Sequence, residues 1–235
     1  MSGQGDAKGK TWGYNLMTSS VLILPLFLVY QLGVLLTWPM HNGADLITEF
    51  LVQKLDLVGY IAFNLAMAAL ICVLAASKRK EQGVEFKQMV PLLGESAIYA
   101  FFLGSVIFFF MIRILHLEPP RMAMDNASFT DRFVMSAGAG VHEEILFRLV
   151  LLNGLALALK GLKFGPKEAF LGALLVSSAL FSAVHHLGSL GDPFTFWVFT
   201  FRLLAGIIFG VIYWFRGLAV AVYTHALYDM YVLLL

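Results

Sequence analysis

The sequence predicts an all-α fold, a polytopic transmembrane helical bundle of about seven spans, and three observations predict it. Of the 235 residues, 60% are hydrophobic and only 13% charged, against roughly 45–50% apolar in ordinary soluble domains. The mean hydropathy is +0.81. Apolar runs close to the ~20 residues that a helix needs to cross a hydrocarbon core about 30 Å thick recur along the chain, divided by short polar stretches. The expected organisation is a polar N-terminal segment, 1–13, followed by a single integral membrane domain, 14–235.

Taken in order, the candidate spans are 16–37, 57–76, 96–115, 133–159, 169–187, 196–214 and 217–235. The run after the polar segment MSGQGDAKGKTW lacks a small-residue cleavage signature, so it is expected to be a retained first span rather than a signal peptide. Pro25 is expected to kink it. Residues 38–55 hold Leu46, Phe50, Leu51 and Leu55 at helical spacing among charged residues, which fits a short interfacial helix or a plain loop. The sixth span contains Gly206 and Gly210, a G-x-x-x-G pair that lets a neighbouring helix approach closely.

Orientation follows from the basic residues in the loops. With the N-terminus inside, the inner segments hold Lys8, Lys10, Lys78, Arg79, Lys80, Lys87, Lys160, Lys163, Lys167 and Arg216, ten in all, against Lys54, Arg121 and Arg132 outside. Arg113, Arg148 and Arg202 remain in or at the spans. A net charge of +1 so scattered provides no surface for nucleic acid. The single cysteine, Cys72, excludes an intrachain disulfide and a cysteine-rich metal site, and reads as a small packing residue.

The stretch His142-Glu143-Glu144-Ile145-Leu146-Phe147-Arg148 places charges inside the fourth span. A charge at bilayer depth costs about 2.5–3.5 kcal/mol on insertion scales, so ionisable residues there mark a site. Glu144 and Arg148 are four apart on one helical face, acid first, and are expected to neutralise each other. Glu143 is rotated by roughly 100° from its neighbour and is the carboxylate left free for chemistry. The fifth span ends with Phe181 and His185 on one face; His186 is expected to be peripheral. In the seventh span His225 and Asp229 are again four apart, a spacing at which a carboxylate can fix an imidazole tautomer. Because each such group needs a polar partner within the membrane, one interior cluster is expected rather than three sites.

Two chemistries suit these residue types. A carboxylate can act as general base on water while imidazoles position it or stabilise the oxyanion. Alternatively His185, His225 and a glutamate can ligate zinc. The H-E-x-x-H motif begins at His142-Glu143 but fails at Leu146.

Glu143-Glu144-x-x-x-Arg148, Phe181-x-x-x-His185 and His225-x-x-x-Asp229, in that order on successive apolar spans, resemble the three signature motifs of the CAAX protease and bacteriocin-processing (Abi) family. The resemblance covers residues 133–235. It implies an intramembrane glutamic endopeptidase that needs no metal or other cofactor. Glu143 would activate water, assisted by His185; His225 and Asp229 would form the oxyanion site; Glu144 and Arg148 would support the catalytic helix. Many members carry Asn where this chain has Asp229. A carboxylate cannot donate to an oxyanion unless protonated, so Asp229 is read as orienting His225.

Arg202 lies outside the motifs at a depth similar to that of Asp229, and an Arg202–Asp229 pair is expected, with a snorkelling arginine or a receptor for a substrate's C-terminal carboxylate as rivals. The partners implied are a membrane-associated protein or peptide substrate and the lipid bilayer of a bacterial inner membrane. Rival functions are a catalytically silent immunity or partner-binding protein of the same fold, a zinc-dependent membrane protease, and a transporter using the buried groups as a proton relay. The absence of inverted repeats weighs against the transporter.

Overall fold

The structure is a computed structural model that describes residues 14–37, 48, 50, 54–82, 86–118, 128–187 and 192–234. Among these it is all-helical, with seven helices and no strand. Helix α1 is Leu16–Leu36, begun by Asn15, whose side chain accepts the Thr18 amide, and it continues through Pro25. Helix α2 is Leu57–Gln82, and the Asp56 carboxylate accepts the Gly59 amide in its first turn. After a 3₁₀ turn, Phe86–Gln88, helix α3 runs over Met89–Ile114, ending in π-helical turns from Phe110. Its start at Met89 is seven residues earlier than the expected 96, which takes Glu95 into the helix.

Helix α4 starts with a capping box between Ser128 and Asp131 and is built from four consecutive pieces: Phe129–Gly138, Ala139–Glu143, Ile145–Leu152 and Asn153–Gly161. Helix α5 is Pro166–Val184 with proline at its N-terminus, where the missing N–H has no helical partner to lose. Helix α6, Phe196–Arg216, is capped by Thr195. It passes into α7, Leu218–Leu234, through Gly217 alone, whose φ of 87° is a left-handed conformation that favours glycine.

Among the described residues, α1, α3, α5 and α6 are each long and apolar enough to cross a membrane by themselves. In α2 the apolar part is Leu57–Leu70, and α7 has 17 residues. Polarity is inverted relative to a soluble protein. Leu32, Leu65, Phe101, Phe102, Leu171 and Leu175 are exposed, whereas Glu144 and Arg148 are fully buried, as expected of a bundle bathed in lipid with its ionisable groups turned inward. Cys72 is exposed on α2, a correction to its reading as a packing residue. The interfacial stretch 38–55 lies mostly outside the described residues; of those that remain, Thr48, Phe50 and Lys54 are helical and Leu55 is not. The 1–13 segment lies outside them entirely.

The bundle is assembled around α7. From Leu218 to Ala226 every residue is buried, and a helix apolar on all sides belongs at the centre. It packs against α1, α3, α4 and α6, and the Tyr223 hydroxyl donates to the Leu22 carbonyl of α1. On its outer flank, α1 is tied to α2 by the Tyr60 hydroxyl bonded to Gln31. Glu95 of α3 grips Arg216 at the end of α6 through two contacts, 2.5 and 2.8 Å, so Arg216 serves as a strut between helices. The G-x-x-x-G pair of α6 does what its spacing implies: Gly206 lies against Ser178 and Gly210 against Leu174, both on α5.

Helices α4 and α7 approach each other backbone to backbone. A Cβ on Gly140 would sit 2.7 Å from the Cβ of Ala226 and 2.7 Å from the Val222 carbonyl oxygen. Backbone cannot give way as a flexible side chain can, so Gly140→Ala is expected to push the two helices apart and destabilise the protein by about 1–3 kcal/mol. Unfolding in detergent micelles checks this; an unchanged midpoint would show that the contact is slack.

Candidate active site

Helix α4 carries the first group of polar residues through an unusual backbone. Ala139–Glu143 and Ile145–Leu152 are π-helical, with Glu144 between them. Such i→i+5 turns are rare and often found at functional sites, and here the two glutamates fall at the junction. They point to different partners.

Glu144 is doubly committed. One oxygen, Oε2, lies 3.1 Å from Arg148 Nε, the neutralising pair expected from the spacing. The other, Oε1, accepts from His225 Nδ1 at 2.7 Å. The carboxylate that fixes the His225 ring is therefore Glu144 from α4, a correction to the reading of Asp229 in that role. Asp229 stands at the opposite edge, its Oδ2 3.5 Å from His225 Nε2.

Glu143 faces two imidazoles. Its Oε2 is 3.5 Å from His185 Nε2 and 3.9 Å from His225 Nε2. The His185 ring is itself oriented by Nδ1, 2.7 Å from the Phe181 carbonyl oxygen. A carbonyl only accepts, so Nδ1 carries the proton, and in the neutral ring Nε2 then presents a lone pair towards Glu143. The side chains of Glu143 and His225 are 9% and 6% exposed, those of His185 and Asp229 25% each, so the cluster is buried at its floor and open at one rim.

Aromatic rings seal the floor. Phe181 touches Phe147 edge-on at 5.2 Å and His185 at 4.9 Å, and the Arg148 guanidinium lies 4.5 Å from its centre. Phe209 of α6 stacks on His225 at 4.4 Å with 16° between planes and lies 5.4 Å from the same guanidinium. A planar cation suits this cage, since it can satisfy a carboxylate at its edge and aromatic faces above and below.

Glu143, Glu144, Arg148, Phe181, His185, His225 and Asp229 thus meet in one place, as the cost of separate polar sites within a membrane implies. Arg202 does not join Asp229 in the expected ion pair: its Nη2 lies 2.5 Å from Asp192, in the loop before α6. His186 also turns to that loop, with Nδ1 3.0 Å from the Asp192 carbonyl oxygen. His142 packs on Tyr30 of α1 at 4.8 Å, away from its neighbour Glu143. Sequence reasoning missed Phe209, one of 21 phenylalanines; its place one turn beyond Gly206, on the close-packed face, was the one available signal. Among the described residues, no group of three or more His, Cys, Asp and Glu side chains is arranged to hold a metal ion.

Compared with known proteins, residues 126–231 match the family model described as Type II CAAX prenyl endopeptidase Rce1-like. The matched region holds every member of the cluster. No curated protein and no solved structure matches the chain.

Arg148 is the charge on which the floor depends. Removing one partner of a buried pair leaves the other uncompensated, at about 3–5 kcal/mol, so Arg148→Ala is expected to lose roughly that much stability. Arg148→Lys should recover only part, because an ammonium lacks the flat faces that meet Phe181 and Phe209. Equilibrium unfolding in mixed micelles measures both; full recovery by lysine would show that charge alone matters.

Proposed function

We propose that this chain, which carries a domain of the type II CAAX prenyl endopeptidase Rce1-like family over residues 126–231, is an intramembrane glutamic endopeptidase in which Glu143 activates the attacking water. One observation carries the assignment of the base. Of two adjacent glutamates, Glu144 is bonded to Arg148 and His225, whereas Glu143 turns its oxygen towards two imidazole Nε2 atoms at 3.5 and 3.9 Å.

The substrate is a membrane-associated protein or peptide. A water between Glu143 and His185 gives one hydrogen to the carboxylate and the other to the Nε2 lone pair, which aims its own lone pair at a scissile carbonyl. As the water oxygen bonds to the carbonyl carbon, Glu143 takes the proton, and the carbonyl becomes an oxyanion. His225, with Nδ1–H held by Glu144, donates from Nε2 to that oxyanion in its imidazolium form. Arg148 and that imidazolium together balance Glu143 and Glu144. Asp229, whose Oδ2 lies 3.5 Å from His225 Nε2, stands beside the oxyanion, where its carboxyl supplies a second donor when protonated. Collapse of the tetrahedral intermediate breaks the C–N bond, and the proton on Glu143 passes to the departing amine. The setting we assign is a bacterial inner membrane, with His185 and Asp229 in its outer half; the distribution of loop charges supports that orientation.

Cleavage of a panel of membrane-anchored peptides by the purified protein tests the reading. Glu143→Gln is expected to lower turnover by about 10²–10⁴-fold, the usual contribution of a general base, without loss of folding. Persistence of wild-type turnover in Glu143→Gln, or silence of the wild type across the panel, would reject it. Asp229→Asn, which keeps a donor at every pH, is expected to retain activity. Asp229→Ala is expected to lose most activity. A pH–rate profile of the three proteins checks the point, and inactivity of the Asn variant would contradict the donor role.

A further inference from the structure

We propose that Asp192 and Arg202 form a latch that positions His185 against Glu143, which makes both of them positioning residues of the peptidase. The inference rests on the reading of His185 as the partner of Glu143.

Helix α5 ends at Val184, and His185 is the residue that caps it. The partner of Glu143 therefore stands where the helix no longer holds its own backbone, since the last carbonyls of a helix lack intrahelical donors. Asp192 supplies what is missing. Its amide donates to the His185 carbonyl at 2.9 Å. Its own carbonyl faces His186 Nδ1 at 3.0 Å, so the ring nitrogen is the donor there. Its carboxylate lies 2.5 Å from Arg202 Nη2, and Arg202 sits six residues into α6. One residue thus grips both histidines at the end of α5 and fastens them to the next helix.

Three further contacts brace the same junction. The His186 ring lies 5.2 Å from Phe194 and 6.3 Å from Phe199, and the Ser182 hydroxyl donates to the Phe199 carbonyl at 2.7 Å. The His185 imidazole, by contrast, is held by its bond to the Phe181 carbonyl and by ring contact with Phe181, and it is more exposed than Glu143 or His225.

The Asp192 side chain is 52% exposed and that of Arg202 25%. An ion pair so exposed contributes little to stability. Its weight falls on geometry: a misplacement of about 1 Å at a reacting group can cost 10²-fold in rate. The latch therefore predicts a large effect on turnover with a small one on folding, the reverse of what a structural strut such as Arg148 gives.

The test uses the full chain in lipid nanodiscs as wild type, Arg202→Gln, Arg202→Lys and Asp192→Asn, with a peptide that the wild type cleaves and Glu143→Gln does not. Arg202→Gln and Asp192→Asn are expected to lower kcat about 10–100-fold with KM within about threefold and the melting temperature nearly unchanged; Arg202→Lys restores most of kcat. Ring-nitrogen NMR of ¹⁵N-histidine protein reads the same event without substrate: the His185 signals are expected to shift or broaden in both variants. Wild-type kcat in both, or a loss of kcat only in parallel with melting temperature and not relieved by lysine, would overturn the latch. Should the wild type cleave nothing, the peptidase reading fails, and unchanged His185 signals in the variants would overturn the latch separately. If Arg202→Gln does not fold, Asp192→Asn, which keeps the backbone hydrogen bonds, decides alone.

Discussion

A charged carboxylate inside a bilayer has to be matched, and Glu144 is matched twice. Arg148 meets one of its oxygens and His225 the other, and much of the lower half of the bundle is arranged around that bridge. The Arg148 guanidinium continues to the Gly206 carbonyl of α6 at 3.4 Å and lies against Phe181 of α5. A single carboxylate thus links α4 to α7 directly, and to α5 and α6 through one cation. Because an unpaired charge here costs several kcal/mol, the helices have few ways to move apart, and the side chains on them are held in register. What the bridge leaves over is Glu143.

The separation of roles between two neighbouring glutamates depends on backbone as well as charge. The π-helical turns on either side of Glu144 and the contact of Gly140 with Val222 and Ala226 bring α4 close to α7. At that distance His225 reaches back to Glu144 with one nitrogen and presents the other to Glu143 and Asp229. The imidazole therefore links the Glu144–Arg148 pair to the side of the cluster that holds Glu143 and Asp229. His185 arrives from the other direction, on the last residue of a helix held by its loop. Floor and rim differ in how they are fixed: the floor by buried charge and stacked rings, the rim by hydrogen bonds at the membrane boundary.

Much of this was legible in the chain. Composition and the spacing of apolar runs implied a helical bundle, and the three pairs four residues apart marked the groups that would converge, because polar groups in hydrocarbon need one another. The Glu144–Arg148 pair followed from helix geometry alone. What escaped has physical causes. The partner of His225 lies 81 residues away, and local spacing favoured Asp229, one turn along the same helix, over a long-range carboxylate. Arg202 was matched by depth to Asp229, whereas a loop residue, Asp192, reaches it; loops carry no periodicity from which such a contact can be read. The π-helical turns leave no signature in residue order, and Phe209 was marked among so many phenylalanines only by its place one turn beyond Gly206. The third span was expected to begin at residue 96; Glu95 lies within the helix, where Arg216 across the bundle satisfies it.

In the proposed reaction Glu143, with His185, activates water directly, and His225 holds the oxyanion. The most direct measurement is the initial rate at which the wild-type protein, stripped with a strong chelator and then resupplied with zinc, cleaves a membrane-anchored peptide. The account predicts the same rate before stripping, after it and after resupply. A rate that vanishes on stripping and returns with zinc would contradict it and make the same side chains ligands of a metal.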